Sequence, residues 1–517
     1  MTNAGLKISP SVAAVLILTA PAFAATLHVP DDFLTIQGCI DAASAGDECV
    51  VAPGTYNECI NFKGMPITLR SSDGPDVTII DGTGFGCSVV RCVSEEGPDT
   101  VLDGLTITGG EATWGGGMYN EDSSPTVSNC VFTGNSAIDG GGMANFSFLV
   151  SSSPKVIDCR FLGNTAQQQG GGMNNNGPDG APTSDPSVVN CVFHGNTATR
   201  GGGGMFNNNG ASPAVTNCTF SGNSGGPVGG GMVNGFSSPG QVLVTNCTFS
   251  GNSAGISGAG MHNGYVAGIP SQVLVTNCVF WNNSPDQITG GEGGETLVSY
   301  SDVEGGWGGA GGTGNINVAP LFVDADGDDN VQGTEDDNLR LSPGSPCIDA
   351  GDNNAVPPGI TVDLDGNSRF VNDPNTPDTG NPGPQGPPVV DMGAYEFQIP
   401  IITVVIDIKP GSDPNSINLG SHGVVPVAIL TTGEFDATTV DPDTINLAGA
   451  SIALRGNGRR LLASYEDVDD DGDDDLMLHI ETENLQLETG ATEAILTGKT
   501  FDGQDISGMD TIVIVNE

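Results

Sequence analysis

The chain has 517 residues, and its 79 glycines and 5% aromatic content fit a repetitive stack of short segments better than one large packed core. It carries 62 acidic side chains against 14 Lys and Arg, which gives a formal net charge of −48 at pH 7. Contacts to phosphates and anionic lipids need basic side chains, so this balance excludes nucleic acid and acidic membrane surfaces as principal partners. Cations are the natural counterpart of so acidic a chain.

Residues 1–24 are predicted to form a secretory signal peptide. Lys7 supplies the charged region, residues 12–19 the apolar region, and Ala22-Phe23-Ala24 a small-x-small cleavage site. The apolar run is too short for a comfortable membrane span, and no later stretch is longer. We therefore expect cleavage after Ala24, a secreted or cell-surface location (periplasmic or extracellular), and no transmembrane segment after cleavage. The alternative is an uncleaved anchor.

Residues 25–110 are predicted to form an N-terminal cap and the first coils of a stack. A short capping helix is expected over 36–45, because Ile36 and Ile40 fall on one side of it. Its task would be to cover the unpaired backbone groups at the open end of the stack. The strand-like runs that follow are 49–52, 67–70, 77–80, 89–93 and 105–108.

Residues 111–323 are predicted to form a six-repeat core and the last coils, the latter over 296–303 and 316–323. Each repeat contains Gly-Gly-Gly-Met-x-Asn (once Gly-Ala-Gly-Met) and then Asn-Cys-x-Phe-x-x-Asn, with Asp158 once replacing the first Asn. The six repeat cysteines lie 29, 32, 27, 29 and 31 residues apart. Such a period indicates a solenoid, and the short apolar runs between Gly and Asn residues predict about three strands per turn of a parallel β-helix.

Stacked coils would place equivalent side chains in columns at the strand spacing of ~4.8 Å. We predict a buried methionine column, a buried phenylalanine column, and asparagine columns that hydrogen-bond from coil to coil. The methionines are Met118, Met143, Met173, Met205, Met232 and Met261. The phenylalanines are Phe132, Phe161, Phe193, Phe220, Phe249 and Phe280.

Twelve cysteines in an exported chain suggest disulfides, but the six repeat cysteines would stack with parallel side chains that do not suit disulfide geometry. We interpret them as a column of small buried hydrophobes. Near the cap, Cys39 with Cys49 and Cys87 with Cys92 are candidate bridges, and the sequence leaves the pairing open.

These repeats resemble the right-handed parallel β-helix (pectin-lyase-like) superfamily. In detail they are similar to the Phe-x-x-Asn and Gly-Gly-x repeats of bacterial secreted and surface β-helices, including polymorphic outer membrane proteins. Over residues 26 to about 320 the resemblance implies a right-handed parallel β-helix solenoid. With the small antiparallel β-sandwich that the C-terminal pattern predicts, the expected fold class is all-β. It implies little about activity, because the fold hosts lyases, hydrolases, adhesins and inert scaffolds.

The C-terminal part divides into two predicted segments. Residues 324–398 contain the stretch 339–351 and a proline-rich loop, and they resemble the end of many secreted bacterial β-helix proteins, so they are predicted to form a C-terminal cap. Residues 399–517 show short strand-like runs separated by turns, which predicts an accessory β-sandwich with an acidic, calcium-type loop.

Calcium is the cofactor that the acidic motifs predict. The stretch 467–475 places carboxylates at alternate positions with Gly472 at the turn, and hard cations prefer such oxygen-rich loops. It departs from a full EF-hand because Leu478 stands where a bidentate Glu would be, and the alternative is a solvated acidic turn. The candidate ligands are Asp467, Asp469, Asp471, Asp473 and Asp475, with a second and weaker set at Asp324, Asp326 and Asp328.

The repeats offer little conventional catalytic machinery. A uronan lyase needs a basic side chain, yet residues 93–338 contain only Lys155, Arg160 and Arg200, at unrelated repeat positions. A carboxylate pair could still form across coils. We interpret His194 and His262 as surface or turn residues, and Trp114 and Trp307 as packing residues that could alternatively stack on sugars. The acids available on the repeats are Asp139, Asp158, Asp179 and Asp185.

The sequence therefore predicts an exported, non-catalytic scaffold for adhesion or glycan binding, with an extracellular polysaccharide or a surface protein as partner. The alternative is a polysaccharide lyase or glycoside hydrolase with an atypical active site. A cleft that holds two carboxylates, or a carboxylate with an arginine, would favour the enzyme. A groove lined by Asn and Gly would favour the scaffold.

Overall fold

The computed structural model describes residues 24–177, 183–236, 240–265, 271–290, 295–309, 312–455 and 460–515. The predicted signal peptide therefore lies almost entirely outside the described residues. The chain divides into two compact units, of which the first ends at Phe397 and the second contains Asp373–Asn375 and the chain from Gln398 onward. Within the described part of the chain, no helix combines the length and apolarity that a membrane crossing requires.

The first unit is a right-handed parallel β-helix built from four sheets, which we name S1 to S4 in the order in which a repeat coil passes through them. The strands of S1 are Thr26–Val29, Glu48–Val51, Thr68–Ser71, Val101–Asp103, Thr126–Ser128, Lys155–Ile157, Ser187–Val189, Ala214–Thr216, Gly240–Thr245, Ser271–Thr276 and Glu295–Ser299. Those of S2 are Gly54–Tyr56, Thr78–Asp81, Thr106–Thr108, Val131–Thr133, Arg160–Leu162, Val192–His194, Thr219–Ser221, Thr248–Ser250, Val279–Trp281 and Asp302–Val303.

The other two sheets complete each coil. The strands of S3 are Glu111–Trp114, Ser136–Asp139, Thr165–Gln169, Thr197–Ala198, Ser224–Gly225 and Ser253–Ala254. Those of S4 are Ile60–Asn61, Val90–Cys92, Met118–Glu121, Met143–Phe146, Met173–Asn176, Met205–Asn208, Met232–Phe236, Met261–Tyr265 and Ile288–Gly290. The prediction of three strands per turn is wrong by one, because the small residues after each Phe-x-x-Asn motif pair with the next coil as the short strands of S3.

Left-handed turn residues produce the corners of each coil. The turn from S1 to S2 passes through Asn129 at φ 51° and its equivalents, a conformation that Asn tolerates better than most residues. The turn from S3 to S4 passes through the glycine triplets. There Gly140 has φ +70°, and a Cβ on Gly141 would lie 2.5 Å from the carbonyl oxygen of Gly171 in the next coil. Glycine is therefore required where neighbouring coils approach most closely.

The predicted apolar columns are confirmed. Each repeat methionine is the in-register partner of the methionine in the next coil, and all six are buried. The six phenylalanines stack with ring centroids 4.5–4.9 Å apart and planes within 6° of parallel. Burying each large apolar side chain contributes roughly 1.5–3 kcal/mol, so the two columns supply much of the stabilisation of the solenoid.

The predicted asparagine columns are confirmed as buried ladders. From Asn120 to Asn263, each Nδ2 donates to Oδ1 of the equivalent Asn in the next coil at 2.8 Å. From Asn135 to Asn283, the same bond recurs at 2.8–3.1 Å. The ladders satisfy polar groups that would be costly to bury unpaired, and they fix the register between coils.

The repeat cysteines form the predicted buried column without disulfides. Along it, backbone N–H groups donate to the Sγ atom of the next cysteine, as from Cys159 to Cys191 at 3.4 Å. Burial raises the pKa of the Cys130 thiol, which keeps it protonated and unreactive.

One of the two proposed bridges is present, and the other is not. Cys39 is bonded to Cys49, as proposed, whereas Cys87 is bonded to Cys59 and not to Cys92. Cys92 points into the core as the in-register partner of Asn120, away from Cys87, which precedes the strand.

The capping helix spans Ile36–Ala42, three residues shorter than predicted. Thr35 is its N-cap, and its hydroxyl accepts from Gly38 N at 3.1 Å. Ile36 and Ile40 are buried in the core of the solenoid, as the amphipathic pattern predicted. The helix ends because Ala43 has extended backbone with ψ 152°.

After the last coil the chain runs back along the side of the stack. We name this part, residues 324–372 and 376–397, the return segment. Its residues bond to several coils: Glu335 to Arg160, Val362 to Asn217, Ala394 to Thr248, Asp352 to Asn277 and Cys347 to Asp302. Of the predicted last coil over 316–323, Ile316 pairs parallel with Asp302 of the preceding coil, but Phe322–Asp324 pairs antiparallel with Asn338–Leu341 instead. Two 3-10 helices complete the segment, Asn353–Ala355 and Gly383–Gln385.

Arg369 holds the return segment together from inside. Its side chain is fully buried, and Nη2 donates to the carbonyl oxygens of Asp391 and Gly393 at 3.0 and 2.6 Å. Its Nε lies 3.7 Å from Oε2 of Glu396. Burial raises the pKa of Asp391 in the same cluster to about 7.

The second unit contains two mainly antiparallel sheets around their own apolar core, which includes Ile408, Val427, Leu478 and Leu496. One sheet consists of Ile402–Thr403, Asp505–Thr511, Glu493–Thr500, Val440–Leu447 and Ala450–Ser451. The other consists of Ile406–Ile408, Val424–Ile429, Asp475–Glu481 and Ala463–Glu466. The smaller elements are the pairs Ser416–Ile417 with Val513–Ile514 and Leu454–Arg455 with Arg460–Leu461, and the 3-10 helices Ala437–Thr439 and Thr482–Asn484.

Candidate functional site

The acidic loop of the second unit connects two neighbouring strands, Ala463–Glu466 and Asp475–Glu481. Asp475 is buried, and its two carboxylate oxygens accept from Thr431 N at 2.8 Å and Val468 N at 2.9 Å. It thereby fixes both the end of the loop and the strand behind it. Gly472, at φ +100°, lets the chain reverse between the acidic residues.

Three of the five predicted ligands come together. Carboxylate oxygens of Asp467, Asp469 and Asp475 lie within 4.8 Å of one another. Because Ca²⁺–oxygen bonds are about 2.3–2.6 Å long, a single ion can contact all three. Desolvation and the neighbouring carboxylates raise the pKa of Asp469, as like charges at one site do.

The remaining predicted ligands are placed elsewhere. An oxygen of Asp471 accepts from Asp473 N at 2.9 Å in a local turn, and neither residue joins the cluster of three. Among the described residues, Asp324, Asp326 and Asp328 do not form a comparable group either. The weaker motif is instead followed by a hydrogen-bonded loop in which Thr334 Oγ1 donates to Asp336 Oδ1 at 2.6 Å.

A cleft opens in the first unit between the outer face of S2 and the return segment, and we name it the flank cleft. Its cavity volume is about 400 Å³. S2 and its preceding turn contribute Asp158, Arg160, Leu162, Asn190, Val192, His194, Thr219 and Ser221. The return segment contributes Thr334, Glu335, Asp337, Leu339, Arg340, Leu364, Asp365 and Tyr395.

Two arginine–carboxylate pairs line the flank cleft. Arg160 Nη2 lies 2.9 Å from Glu335 Oε1. Arg340 makes a two-point contact with Asp365, from Nε and Nη2 at 2.6 Å each, and its guanidinium lies 4.8 Å from the ring centroid of Tyr395. The two-point Arg340–Asp365 pair presents both donors and acceptors to a ligand in a defined geometry, whereas Arg160–Glu335 is a single contact between exposed side chains.

Two further titratable groups line the cleft. Burial raises the pKa of Asp337 to about 6, although Gly333 N donates to this carboxylate at 2.7 Å. Burial lowers the pKa of His194, whose Nδ1 lies 2.9 Å from Ser221 Oγ. His194 does not lie in a turn, because it ends a strand of S2, but its half-buried side chain does lie at the surface, where it lines the cleft.

Sequence reasoning missed most of the flank cleft. Arg160 and Asp158 are evident as charges on the repeats, but the partner of Arg160 is Glu335 in the return segment, 175 residues further along the chain. The remaining predicted repeat residues lie elsewhere. Asp179 is outside the described residues, and Trp307 packs against the core with Nε1 buried.

Comparison with known proteins supports the architecture. Residues 55–238 match a family model described as "right handed beta helix region". No curated protein matches the chain. A solved structure entitled "Crystal structure of pectin methylesterase in complex with hexasaccharide VII" aligns with 12% identity and a TM-score of 0.29, over 57% of this chain and 93% of that one. Similarity this low does not carry chemistry over to this chain.

The coil geometry and the match over residues 55–238 together define a right-handed parallel β-helix repeat protein with an additional C-terminal β domain. Its flank cleft contains carboxylates together with arginines and is not a groove lined by Asn and Gly. The criterion drawn from the sequence assigns such a cleft to the enzyme alternative, but the same charged groups also hold sugar hydroxyls without catalysis, so its composition does not separate binding from turnover.

Proposed function

We propose that the protein is exported and binds a neutral glycan in the flank cleft. The observation that carries this proposal is the two-point Arg340–Asp365 pair beside the ring of Tyr395, in one open cleft with a second and more exposed pair, Arg160–Glu335. Sugar hydroxyls donate to carboxylates and accept from guanidinium groups, so such pairs hold a sugar without needing a charge on it.

The charge balance supports a neutral ligand over an acidic one. The cleft contains Asp158, Glu335, Asp337 and Asp365 against two arginines, an excess of acidic groups. Both arginines already have carboxylate partners, so a uronate would compete with these and meet repulsion from the others. An arginine held in this way is also unsuited to proton abstraction, which opposes a lyase mechanism.

Binding is tested with the full mature chain by affinity electrophoresis in gels containing β-glucan, galactomannan, xylan or polygalacturonate. We expect retardation by one of the neutral polymers. Arg340→Ala removes charge-assisted hydrogen bonds worth about 1.5–3 kcal/mol and should weaken binding about tenfold or more. Arg455→Ala, at an exposed arginine of the second unit, is the matched control. Retardation by polygalacturonate alone, or equal effects of the two substitutions, would contradict the proposal.

Glycoside hydrolysis is the second candidate, and Asp337 is the observation that favours it. Hydrolases pair a protonated carboxyl with an ionised one, and the raised pKa of Asp337, about 6, suits the acid role in a cleft that Asp158 lines with an exposed carboxylate. Reducing ends released from the bound polymer are counted between pH 5 and 8. Release that declines above pH 6 and is abolished by Asp337→Asn, with binding retained, would establish hydrolysis. Binding without release would leave the protein a glycan-binding module.

Calcium is proposed as the structural ion of the second unit. The convergence of Asp467, Asp469 and Asp475 supports this, since backbone carbonyls and water can complete the six to eight oxygens that Ca²⁺ requires. Export is supported by the charged, apolar and small-residue regions of residues 1–24.

A further inference from the structure

A second groove lies on a different flank of the first unit. It is lined by Trp114, Asp139, Phe146, Phe148, Asn176, Gly177 and Asn209, with a cavity volume of about 290 Å³. These residues belong to S3, S4 and the turns after S4, whereas the flank cleft is built on S2. Around each coil, S2 and S4 are separated by S3 on one side and by S1 on the other. We name this feature the aromatic groove.

The floor of the aromatic groove is a rigid cluster of rings. Trp114 lies 5.5 Å from Phe146 and 5.8 Å from Tyr119, centroid to centroid, and Tyr119 meets Phe146 edge to face at 6.0 Å. Tyr119 and Phe146 are buried, yet Trp114 remains 40% exposed. The cluster therefore holds the indole in place while leaving part of its surface open to solvent.

The loop after the second repeat strand of S4 forms one wall of the groove. Phe148 packs edge to face on Phe146 at 6.1 Å and is 42% exposed, and Leu149 is 80% exposed. One carboxylate oxygen of Asp122 accepts from the backbone N–H groups of Phe148, Leu149 and Val150 at 2.6, 2.9 and 3.2 Å. Three such bonds fix the loop, so its apolar side chains are held toward solvent.

Polar side chains line the rest of the groove. Asp139 is the in-register partner of Trp114 on the next coil of S3, which places a half-buried carboxylate beside the indole. Asn209 Nδ2 donates to Asn176 Oδ1 at 2.8 Å, which orients both amides. An open aromatic face next to fixed carboxylate and amide groups matches a pyranose ring, whose C–H faces are apolar and whose hydroxyls lie around its edge.

We propose that the aromatic groove is a second sugar-binding site, in which Trp114 stacks on one pyranose unit of a neutral glycan and Asp139 accepts hydrogen bonds from its hydroxyls. The site is independent of the flank cleft. A chain with two sugar sites on separate flanks gains avidity for polymers and can bridge two strands of a glycan.

The indole provides its own readout. The chain contains three tryptophans, and the double variant Trp281→Phe/Trp307→Phe leaves Trp114 as the single emitter. It is titrated with the hexaoses of cellulose, mannan and xylan as neutral probes and with hexagalacturonate as the acidic probe. We expect one neutral hexaose to shift the Trp114 emission saturably. In the same background, Asp139→Asn should weaken binding about tenfold, since a hydrogen bond to a charged group contributes about 1.5–3 kcal/mol.

Two controls separate this proposal from its competitors. Leu34→Ser, at an 87% exposed apolar side chain of the N-terminal cap, is the matched control and should leave sugar affinity unchanged. A loss equal to that of Asp139→Asn would show that the effect of Asp139→Asn is not specific to the groove and would overturn the sugar site. Arg340→Ala, in the flank cleft, should leave the Trp114 response intact, so either site can fail without the other. No emission change with any hexaose would also overturn the proposal.

Discussion

Phe193 stacks on Phe220 with ring centroids 4.7 Å apart and planes 3° from parallel. The Cα atoms of the two residues are in register on neighbouring strands of S2, so the ring stack copies the spacing of the backbone. The same relation continues above and below through Phe161 and Phe249. A defect in one ring therefore leaves two neighbours without a contact face.

Phe193→Ala should destabilise the first unit by about 3–5 kcal/mol, the usual cost of emptying a buried phenylalanine site. Phe193→Leu retains much of the volume and should cost less than half as much. Thermal unfolding followed by circular dichroism measures both. Phe85→Ala, at a side chain that is 57% exposed, is the control and should stay within about 0.5 kcal/mol of the wild type. Similar losses at the two positions would contradict a buried stack.

Asn196→Ala should cost about 3 kcal/mol or more, because the side chain makes four hydrogen bonds in a buried ladder. Its Nδ2 donates to Asn223 Oδ1 and to the Phe161 carbonyl, and its Oδ1 accepts from N and Nδ2 of Asn164. Asn196→Asp should be worse, since it turns two donor contacts into contacts between acceptors. Asn57→Ala, on the exposed surface, serves as the comparison in chemical denaturation. A mild effect of Asn196→Asp would refute the ladder.

Thiol labelling should give three distinct counts. The chain has twelve cysteines, of which four are in the two disulfides and eight are free and buried. We expect no rapid labelling of native protein by a maleimide, eight labels after denaturation without reductant, and twelve after reduction. Intact mass spectrometry reads the counts, and peptide mapping should find Cys92 labelled and Cys59 protected in the unreduced sample. A labelled Cys59 beside a protected Cys92 would reinstate the alternative pairing.

Calcium should raise the unfolding temperature of the second unit in the full chain. An ion that binds only the folded state stabilises it by RT ln(1 + [L]/Kd), about 2.7 kcal/mol at a hundredfold excess over Kd. Differential scanning calorimetry with 2 mM Ca²⁺ against EGTA is the measurement. Asp467→Asn should reduce the shift, whereas Asp473→Asn, outside the cluster of three, should not. An unchanged melting temperature at millimolar calcium would contradict the proposal that the second unit binds calcium.

The stability of the first unit should depend on pH through Asp302. Burial raises the pKa of this carboxyl from 3.8 to about 6 in the folded state, where Cys347 Sγ donates to it at 3.5 Å. Because the pKa of Asp302 is higher in the folded state than in the unfolded state, protonated Asp302 adds to the free energy of unfolding. This contribution is fully present below about pH 4 and is lost as pH rises through 6. The loss amounts to roughly 2–3 kcal/mol.

Asp302→Asn should therefore remove that part of the pH dependence. The free energy of unfolding is compared at pH 4.5 and 7.5 for the wild type, for Asp302→Asn and for the exposed control Asp31→Asn. The wild type and the control should lose stability more steeply than Asp302→Asn over this interval. Parallel profiles for all three would show that Asp302 does not titrate as described.

The repeats were predictable because each coil presents the same residue types at the same positions. Met143 and Phe161 each recur at the same position within their repeat motif, so their burial and their columns follow from the repeat, although its length varies from 27 to 32 residues. The short strand Ser136–Asp139 was not predicted, since small polar residues show no alternation and pair only because the neighbouring coil is there. The pairing of Cys87 with Cys59 was likewise not predicted. Cys92 is not its partner because Cys92 is buried in the core at the end of a strand of S4.

The flank cleft could not be predicted for a different reason. Arg160 meets Glu335 only because the return segment comes back along the stack, and no local pattern encodes the distance that it travels. The acidic loop is an intermediate case. Its composition was evident in the sequence, but the convergence of Asp467 and Asp469 on Asp475 depends on the two strands that the loop joins.

The return segment also limits the number of coils in the β-helix. Any one coil could be duplicated or deleted without changing the partners of its Met, Phe and Asn residues, so the repeats alone impose no fixed number. The return segment does impose one, because it is fastened near one end at Arg160 and near the other at Asn277 and Asp302. Each added coil would move these anchors about 4.8 Å further apart. The segment thus acts as a ruler, and the repeat number can change only if the ruler changes length with it.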